Sequence, residues 1–503
     1  MKILLANPAT REPLKNGKER YFIKAGSRWP WSYIKRTEEK CISPFPFFLA
    51  YTAAVLRQHH FDVRVIDGVA LGMEQEDFII KAGSIAPDLI IIETTMHAFK
   101  HDAALAGNLK ACLPNCRIAF SGPFATIFAE KILLEYSFVD YLLLGEYEFT
   151  ALELARALQR GDIAPRLVGL ATREGDKIRV SAEKGFIEDI NRLPSPAFEF
   201  FPDNDSPDMT RYGDGICSYK PAITLHSSRG CPFRCDFCFW NQVMYDNREY
   251  RMFEPKRVVD ETAYVIAKFG AREIYFDDDD FCVNKAHVLA ICTEIRNRGL
   301  RIRWSCMGDA MTCDEEMIEA MAEAGCIFMK FGVESGDKGI LKSIGKPLDP
   351  EKAVQVSKWC RKHGIMTHAT FVFGLYGDTI KTMQKTLKLA NRIKFDYAQA
   401  SIATPFPGTR FFDKLIRDGA IKNINYKDFD GTQTCVFNTD FLTASQIVDF
   451  RKKAIRSMVL HKISDPFWWK NYLIRNIILG KEYGFSHVLS PVKAFFKLSY
   501  GKG

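Results

Sequence analysis

The apolar residues of this chain arrive in short runs, and the runs fall into two series. In the first 160 residues they are Lys2 to Ala6, "VRVID" (63–67), "LIIIET" (89–94), "RIAFSG" (117–122) and "YLLLGE" (141–146), separated by helix-like stretches such as "FFLAYTAAVLRQ" (47–58). Unbroken apolar runs of this length are what strands need when both faces of their sheet are covered. Residues 1–160 are therefore predicted to form an α/β, Rossmann-like doubly wound parallel sheet. Ligands of such sheets sit beyond the carboxyl ends of the strands, where Thr94-Thr95, Ser121-Gly122 and Gly145-Glu146 fall.

The second series occupies residues 219–410: "AITLHS", "EIYFDD", "RIRWSC", "IFMKFGVE", "MTHATFVFG" and "YAQASIATP". Six strand–helix units fall short of the eight that close a full barrel, so a partial (β/α)6 barrel is expected. Between the series, residues 161–218 offer a hairpin around "REGDK" (173–177) and a linker with four prolines in 191–208. Residues 411–503 read as a helical C-terminal region.

A chain of 503 residues is too long for one core, in keeping with this division. The start "MKILLANPAT" lacks the long apolar region of a signal peptide, and no run approaches 18 apolar residues. Fourteen cysteines are too sparse for a disulfide scaffold and point to reduced thiols in a cytoplasm. The net charge of +8 is concentrated after residue 450, with 11 Lys/Arg against 2 Asp/Glu, leaving 58 against 59 before it. Residues 464–480, "SDPFWWKNYLIRNIILG", combine these cations with aromatics and are expected to form a helix, either packed on the barrel or lying peripherally on an anionic membrane. The basic residues form no nucleic-acid track.

Directly after the first strand of the second series stands "SSRGCPFRCDFCFW" (227–240), with Cys231, Cys235 and Cys238 inside eight positions. Active sites of such barrels are built at these strand ends. Iron–sulfur cubanes normally take four cysteines. Three leave one coordination position open, as catalytic metal centres require. A zinc site completed by a histidine such as His226 is the alternative, although no second cysteine pair at zinc-ribbon spacing follows.

The cysteine motif with Phe237 resembles the signature of the radical S-adenosylmethionine (SAM) superfamily. "IYFDDDDFCVN", "MAEAGCIFMKFGVESGDKGILKSIGK", "FVFGLYGDT" and "TPFPGTRF" are similar in order and spacing to its cobalamin-associated branch, which includes cobalamin-dependent methyltransferases and anaerobic magnesium-protoporphyrin monomethyl ester cyclases. "SGPFATIFAE" and "VDYLLLGEYEFTALELARAL" resemble the branch's N-terminal domain. The resemblance implies a 4Fe-4S cluster on the three cysteines and SAM on the open iron, cleaved to a 5′-deoxyadenosyl radical. It assigns Asp278 and Asp279 to the methionine ammonium and Glu334 to the ribose. Phe237, Ser335 and Gly374 are assigned to the rest of SAM. It implies cobalamin lined by Thr94, Thr95, Ser121, Gly122, Gly145 and Glu146, without a histidine on cobalt, since Asn7-Pro8-Ala9-Thr10 replaces the usual motif; His97 is the alternative ligand to weigh. A sheet that no longer binds cobalamin is the plainer reading.

The activity so implied is methyl transfer to an unactivated carbon, with radical cyclisation or hydroxylation of a tetrapyrrole or lipid as the alternative. From another class, a non-catalytic cluster or corrinoid carrier fits the same motifs. Expected partners are a small-molecule substrate and a low-potential electron donor such as flavodoxin or ferredoxin. One departure stands out: relatives often have an arginine after the third barrel strand, where this chain reads Cys306-Met307-Gly308-Asp309.

Overall fold

The computed structural model describes residues 1–13, 19–22, 33–34, 43–213, 217–246, 249–421, 424–466 and 468–470. The chain forms two compact units, Met1–Gly215 with Cys238–Phe253, and Ile216–Phe237 with Glu254–Gly503. The chain thus leaves the second unit at the third cysteine of the motif and returns 16 residues later.

In the first unit, strands β1 (Lys2–Asn7), β2 (Asp62–Asp67), β3 (Leu89–Glu93), β4 (Arg117–Ser121) and β5 (Tyr141–Leu143) run parallel in the spatial order 2-1-3-4-5. All five residues of β3 are buried, which is why the run is apolar without alternation. A hairpin, β6 (Leu170–Glu174) and β7 (Lys177–Val180), extends the sheet antiparallel beyond β5. Its two-residue turn uses Gly175 at φ +61°, the left-handed conformation that tight hairpins require. Helices α1 (Phe47–Gln58), α2 (Phe99–Cys112) and α3 (Glu148–Gln159) cover the sheet, α1 burying every residue from Phe47 to Leu56. The returning segment contributes α4 (Phe239–Val243). A small antiparallel ribbon, Arg11–Pro13, Glu19–Phe22 and Tyr33–Ile34, stands beside this sheet in sequence. The order of β1 between β2 and β3 creates a switch point, the crevice where open α/β sheets take ligands.

The second unit is built on six parallel strands in sequential order, β8 (Ala222–Leu225), β9 (Glu273–Phe276), β10 (Arg303–Gly308), β11 (Cys326–Glu334), β12 (Met366–Phe373) and β13 (Tyr397–Ile402). Six consecutive βα units in one parallel sheet give the partial barrel expected. The connecting helices are α5 (Pro255–Phe269), α6 (Lys285–Asn297), α7 (Glu315–Glu323), α8 (Lys338–Ser343), α9 (Pro350–Lys362) and α10 (Ile380–Arg392). Their starts are written in the sequence: Asn284, Asp314, Asp337, Asp349 and Thr379 each accept a backbone N–H of the first turn. Helices α11 (Arg410–Arg417) and α12 (Ala444–Ile463) follow, and α12 lies against β13, where Arg451 Nε donates to the Ala400 carbonyl at 2.6 Å. Among the described residues no helix is long and apolar enough to cross a membrane. Most of the helix expected over 464–480 lies outside the described residues.

Candidate functional site

The loop that carries the cysteines follows β8 and is fastened at both ends within the second unit. At its start, Asp278 is wholly buried after β9 and accepts from Ser227 N at 3.0 Å, from Ser227 Oγ at 3.0 Å and from Ser228 Oγ. Its neighbour Asp279 accepts from Gly230 N at 2.8 Å, one residue before Cys231. At the far end Asp236 pairs with Arg410 at 2.8 Å and with Lys414, both on α11. Asp278 and Asp279 therefore hold the cysteine loop, a role their position in a run of four aspartates does not reveal.

Cys235 is buried, with Cys231 and Cys238 partly exposed. The Cys235 thiol stands 3.9 Å from the carbonyl of Gly345, where φ is +70° and a Cβ would come within 2.8 Å of the Arg234 carbonyl. Glycine is what lets the α8 turn nestle against the loop. Among the described residues no three His, Cys, Asp or Glu side chains converge as ligands of one metal ion. A cubane spreads its cysteines over separate irons. The fastened loop, with its buried and half-exposed thiols, fits a cubane.

Beside this loop lies a buried charge cluster. Lys346 Nζ is 2.6 Å from Asp309 Oδ2 and 4.0 Å from Glu334 Oε1, with all three side chains nearly inaccessible. Burial works against the Lys346 charge, but Asp309, Glu334 and the Cys235 thiol outweigh it and hold the ammonium above the usual lysine range. Burial raises Glu334 to about 7, against the pull of Lys346. Asp280 is pushed well above the ordinary carboxylate range by burial and by the fields of Asp309 and Cys282.

Glu334 reaches this place through an irregular backbone. Its φ is +63°, the ladder with β12 shifts register between Gly332 and Glu334, and a Cβ on Gly332 would stand 2.1 Å from Glu334 Oε1. A non-glycine residue with positive φ costs of order 1–3 kcal/mol, and such strain concentrates at functional sites. Sequence reasoning reached Glu334 but missed Lys346 and Asp309, which are 37 residues apart in the chain and meet only in the fold. The one available signal was the stretch Cys306-Met307-Gly308-Asp309, where the resemblance leads one to expect an arginine; Lys346 brings a cation there.

Two expected SAM residues are engaged elsewhere. Ser335 is buried with its hydroxyl 3.2 Å from Thr386 Oγ1, and it accepts from Asp337 N. Gly374, at φ +84°, makes room for Ile447 of α12, which a Cβ would meet at 2.9 Å. Phe237 is half-buried in the cysteine loop. Cys282, Cys306, Cys313 and Cys326 are buried and hydrogen-bond one another.

In the first unit, the carboxyl ends of β1, β3 and β4 present buried polar groups. Thr94 Oγ1 donates to Asp102 Oδ2 at 2.7 Å, and Tyr147 OH to Glu93 Oε2 at 2.8 Å. Thr95 Oγ1, beyond β3, and Asn7 Oδ1, at the end of β1, are buried without hydrogen-bond partners. Orphaned polar atoms on both sides of the switch point fit a ligand with polar groups there. Ser121 ends β4, and Gly122, at φ +90°, allows the Thr94 carbonyl an approach that a Cβ would block at 2.8 Å. His97 is buried just beyond. Gly145 and Glu146 do other work: Gly145 packs on the Gly185 backbone, and Glu146 accepts from Ile187 N at 2.9 Å and pairs with Arg251 at 2.6 Å in a fully buried ion pair.

Comparison with known proteins agrees with this geometry. Residues 225–390 match the Radical SAM superfamily. The chain is 30% identical over 439 residues to the uncharacterized methyltransferase PH0819 of Pyrococcus horikoshii, covering 86% of this chain and 93% of that protein. It is 24% identical over 472 residues to the anaerobic magnesium-protoporphyrin IX monomethyl ester cyclase of Cereibacter sphaeroides, covering 91% and 72%. Among solved structures, the radical SAM methyltransferase TsrM of Kitasatospora setae, with cobalamin and a 4Fe-4S cluster bound, superposes with a TM-score of 0.68 at 16% identity over 99% of both chains. The cobalamin-dependent radical enzyme OxsB superposes with a TM-score of 0.67 at 15% identity, covering 100% of this chain and 75% of that one.

Proposed function

This chain belongs to the radical SAM superfamily, and on that premise we propose that it is a cobalamin-dependent enzyme that transfers a methyl group to an unactivated carbon of a small molecule. The observation that carries the reading is the cysteine loop, fastened by Asp278, Asp279 and Asp236 beside the buried Lys346–Asp309–Glu334 cluster. Cys231, Cys235 and Cys238 would hold three irons of a 4Fe-4S cluster, leaving the fourth for SAM. When bound, the cluster supplies an electron for reductive cleavage of SAM, and cobalamin supplies a methyl carrier.

The chain's own residues bind and orient. Glu334 accepts from the two ribose hydroxyls once ionised. Lys346 offers its ammonium to the carboxylate of the methionine moiety while Asp309 fixes its position. Asp279 would face the methionine ammonium, with Asp278, Ser335 and Gly374 one layer behind, setting the backbone. In the first unit, Thr94, Thr95, Ser121 and Gly122 would line cobalamin, and Gly145 and Glu146 shape the wall behind them.

Methyl transfer is favoured by the relative at 30% identity that is named a methyltransferase. A second reading, radical cyclisation or hydroxylation, has the support of the cyclase that aligns with 91% of the chain. A tetrapyrrole or lipid substrate belongs with that reading. The setting we infer is cytoplasmic, where the thiols stay reduced and a flavodoxin or ferredoxin supplies the electron.

The test is anaerobic reconstitution with iron, sulfide and cobalamin, followed by incubation with SAM and reductant. Release of 5′-deoxyadenosine is expected, and its absence sinks the proposal. S-adenosylhomocysteine formed during turnover selects methyl transfer over the cyclase reading. Cys235→Ala should lose both cluster absorbance and SAM cleavage.

A further inference from the structure

The buried ion pair of Lys346 and Asp309 is tied to the cysteine loop through the backbone as well as through its charge. Asp236 N donates to the Ile344 carbonyl at 2.8 Å, and the Cys235 thiol is 3.9 Å from the Gly345 carbonyl. The two residues before Lys346 are thus fitted to the middle cysteine and its neighbour. Lys346 follows directly, its own N–H bonded to the Leu341 carbonyl at 2.9 Å, and the Cys235 thiol is among the groups whose field acts on its ammonium. Cys235 is 8% exposed and Lys346 7%, so little water or salt screens the one from the other.

The remaining charges of the cluster can be counted. Lys346 Nζ lies 2.6 Å from Asp309 Oδ2 and 4.0 Å from Glu334 Oε1. Lys330 acts on Glu334 from β11, and Asp280, pushed well above the ordinary carboxylate range, is a neutral acid. Once pH exceeds the value of about 7 to which burial raises Glu334, one ammonium, Lys346, faces two carboxylates. Net charge is one of the levers on the reduction potential of an iron–sulfur cluster.

We propose that the Lys346–Asp309 pair tunes the reduction potential of the cluster that Cys231, Cys235 and Cys238 would hold. The inference rests on the radical SAM reading and adds to it a control on the first electron transfer. One electron arrives from the low-potential donor and adds one negative charge beside Cys235. The Lys346 ammonium favours that charge and the Asp309 carboxylate opposes it, and no proton or leaving group moves.

The test is a potentiometric titration, followed by electron paramagnetic resonance, of the full-length, cluster-reconstituted protein. It is run without SAM, so that changes in SAM affinity do not enter, and at about pH 8, where Glu334 is ionised. Lys346→Gln should make the cluster about tenfold harder to reduce, a midpoint about 59 mV lower for a one-electron couple. Asp309→Asn should move the midpoint by a similar amount in the opposite direction. The double variant, which removes both charges, should return close to wild type. Each single variant carries the sign alone, so one that fails to fold leaves the test to the other. Midpoints equal to wild type, or shifts in the same direction in both variants, overturn the proposal, since damage to the loop would move both alike. SAM cleavage by the wild type separates the two ideas. Cleavage with unshifted variants removes the tuning alone, opposite shifts without cleavage remove the enzyme reading alone, and failure to take up iron and sulfide removes both.

Discussion

Four aspartates stand in a row from Asp277 to Asp280, and burial gives them different work. Asp278 satisfies three buried donors of the cysteine loop. Asp278→Ala leaves those donors unmet, and a loss of about 2–4 kcal/mol is expected, read as a lower melting temperature together with lower iron content after reconstitution. Lys346 is the complementary case. Lys346→Met strands Asp309 and Glu334 as buried acids, and SAM affinity measured by dialysis should fall by about tenfold or more. In the first unit, Asp67 is fully buried, accepting from Asn7 Nδ2 at 2.8 Å and from Tyr212 OH at 2.9 Å. Burial raises it to about 6 in spite of these bonds. The native state therefore keeps a proton that the unfolded chain releases near 3.8, so this group's contribution is fully present below pH 3.8 and is lost as pH rises through about 6. It is worth up to about 3 kcal/mol. Asp67→Asn should flatten that part of the stability–pH curve, measured by denaturant unfolding across the window.

At the scale of elements, the cysteine loop and the α8 turn are fitted to one another through a glycine. Gly345→Ala puts a Cβ 2.8 Å from the Arg234 carbonyl at a φ of +70°, and a cost of about 1–3 kcal/mol is expected by thermal unfolding. Elements whose cues are local were legible in the sequence: the strands from their unbroken apolar runs, the hairpin from "REGDK", the cysteine triad from its spacing. Contacts between distant segments were not. Asp278 could not be told from Asp279, because what separates them is the direction of each side chain at a strand end. Gly374 read as a close approach to a ligand, whereas the helix it accommodates begins 70 residues later. Glu146 read as a ligand-lining acid, and its partner Arg251 is 105 positions away.

For the whole molecule, two compact units predict two thermal transitions. Calorimetry on the reconstituted protein is expected to resolve them, with SAM raising one and cobalamin the other in proportion to the logarithm of ligand concentration. A single transition moved equally by both ligands would argue against that division. The excursion of Cys238–Phe253 into the first unit has a further consequence. Trp240 packs on Phe48, Phe253 stacks on Tyr51, and Arg251 meets Glu146, so the first unit's core is finished by residues from the middle of the barrel's own stretch of chain. A gene cut at residue 215 severs that core rather than separating two modules. Chimaeras that exchange the N-terminal half alone would leave two aromatic side chains and an arginine without their pockets, and recombination between relatives of this protein is constrained to keep residues 238–253 with the half they complete.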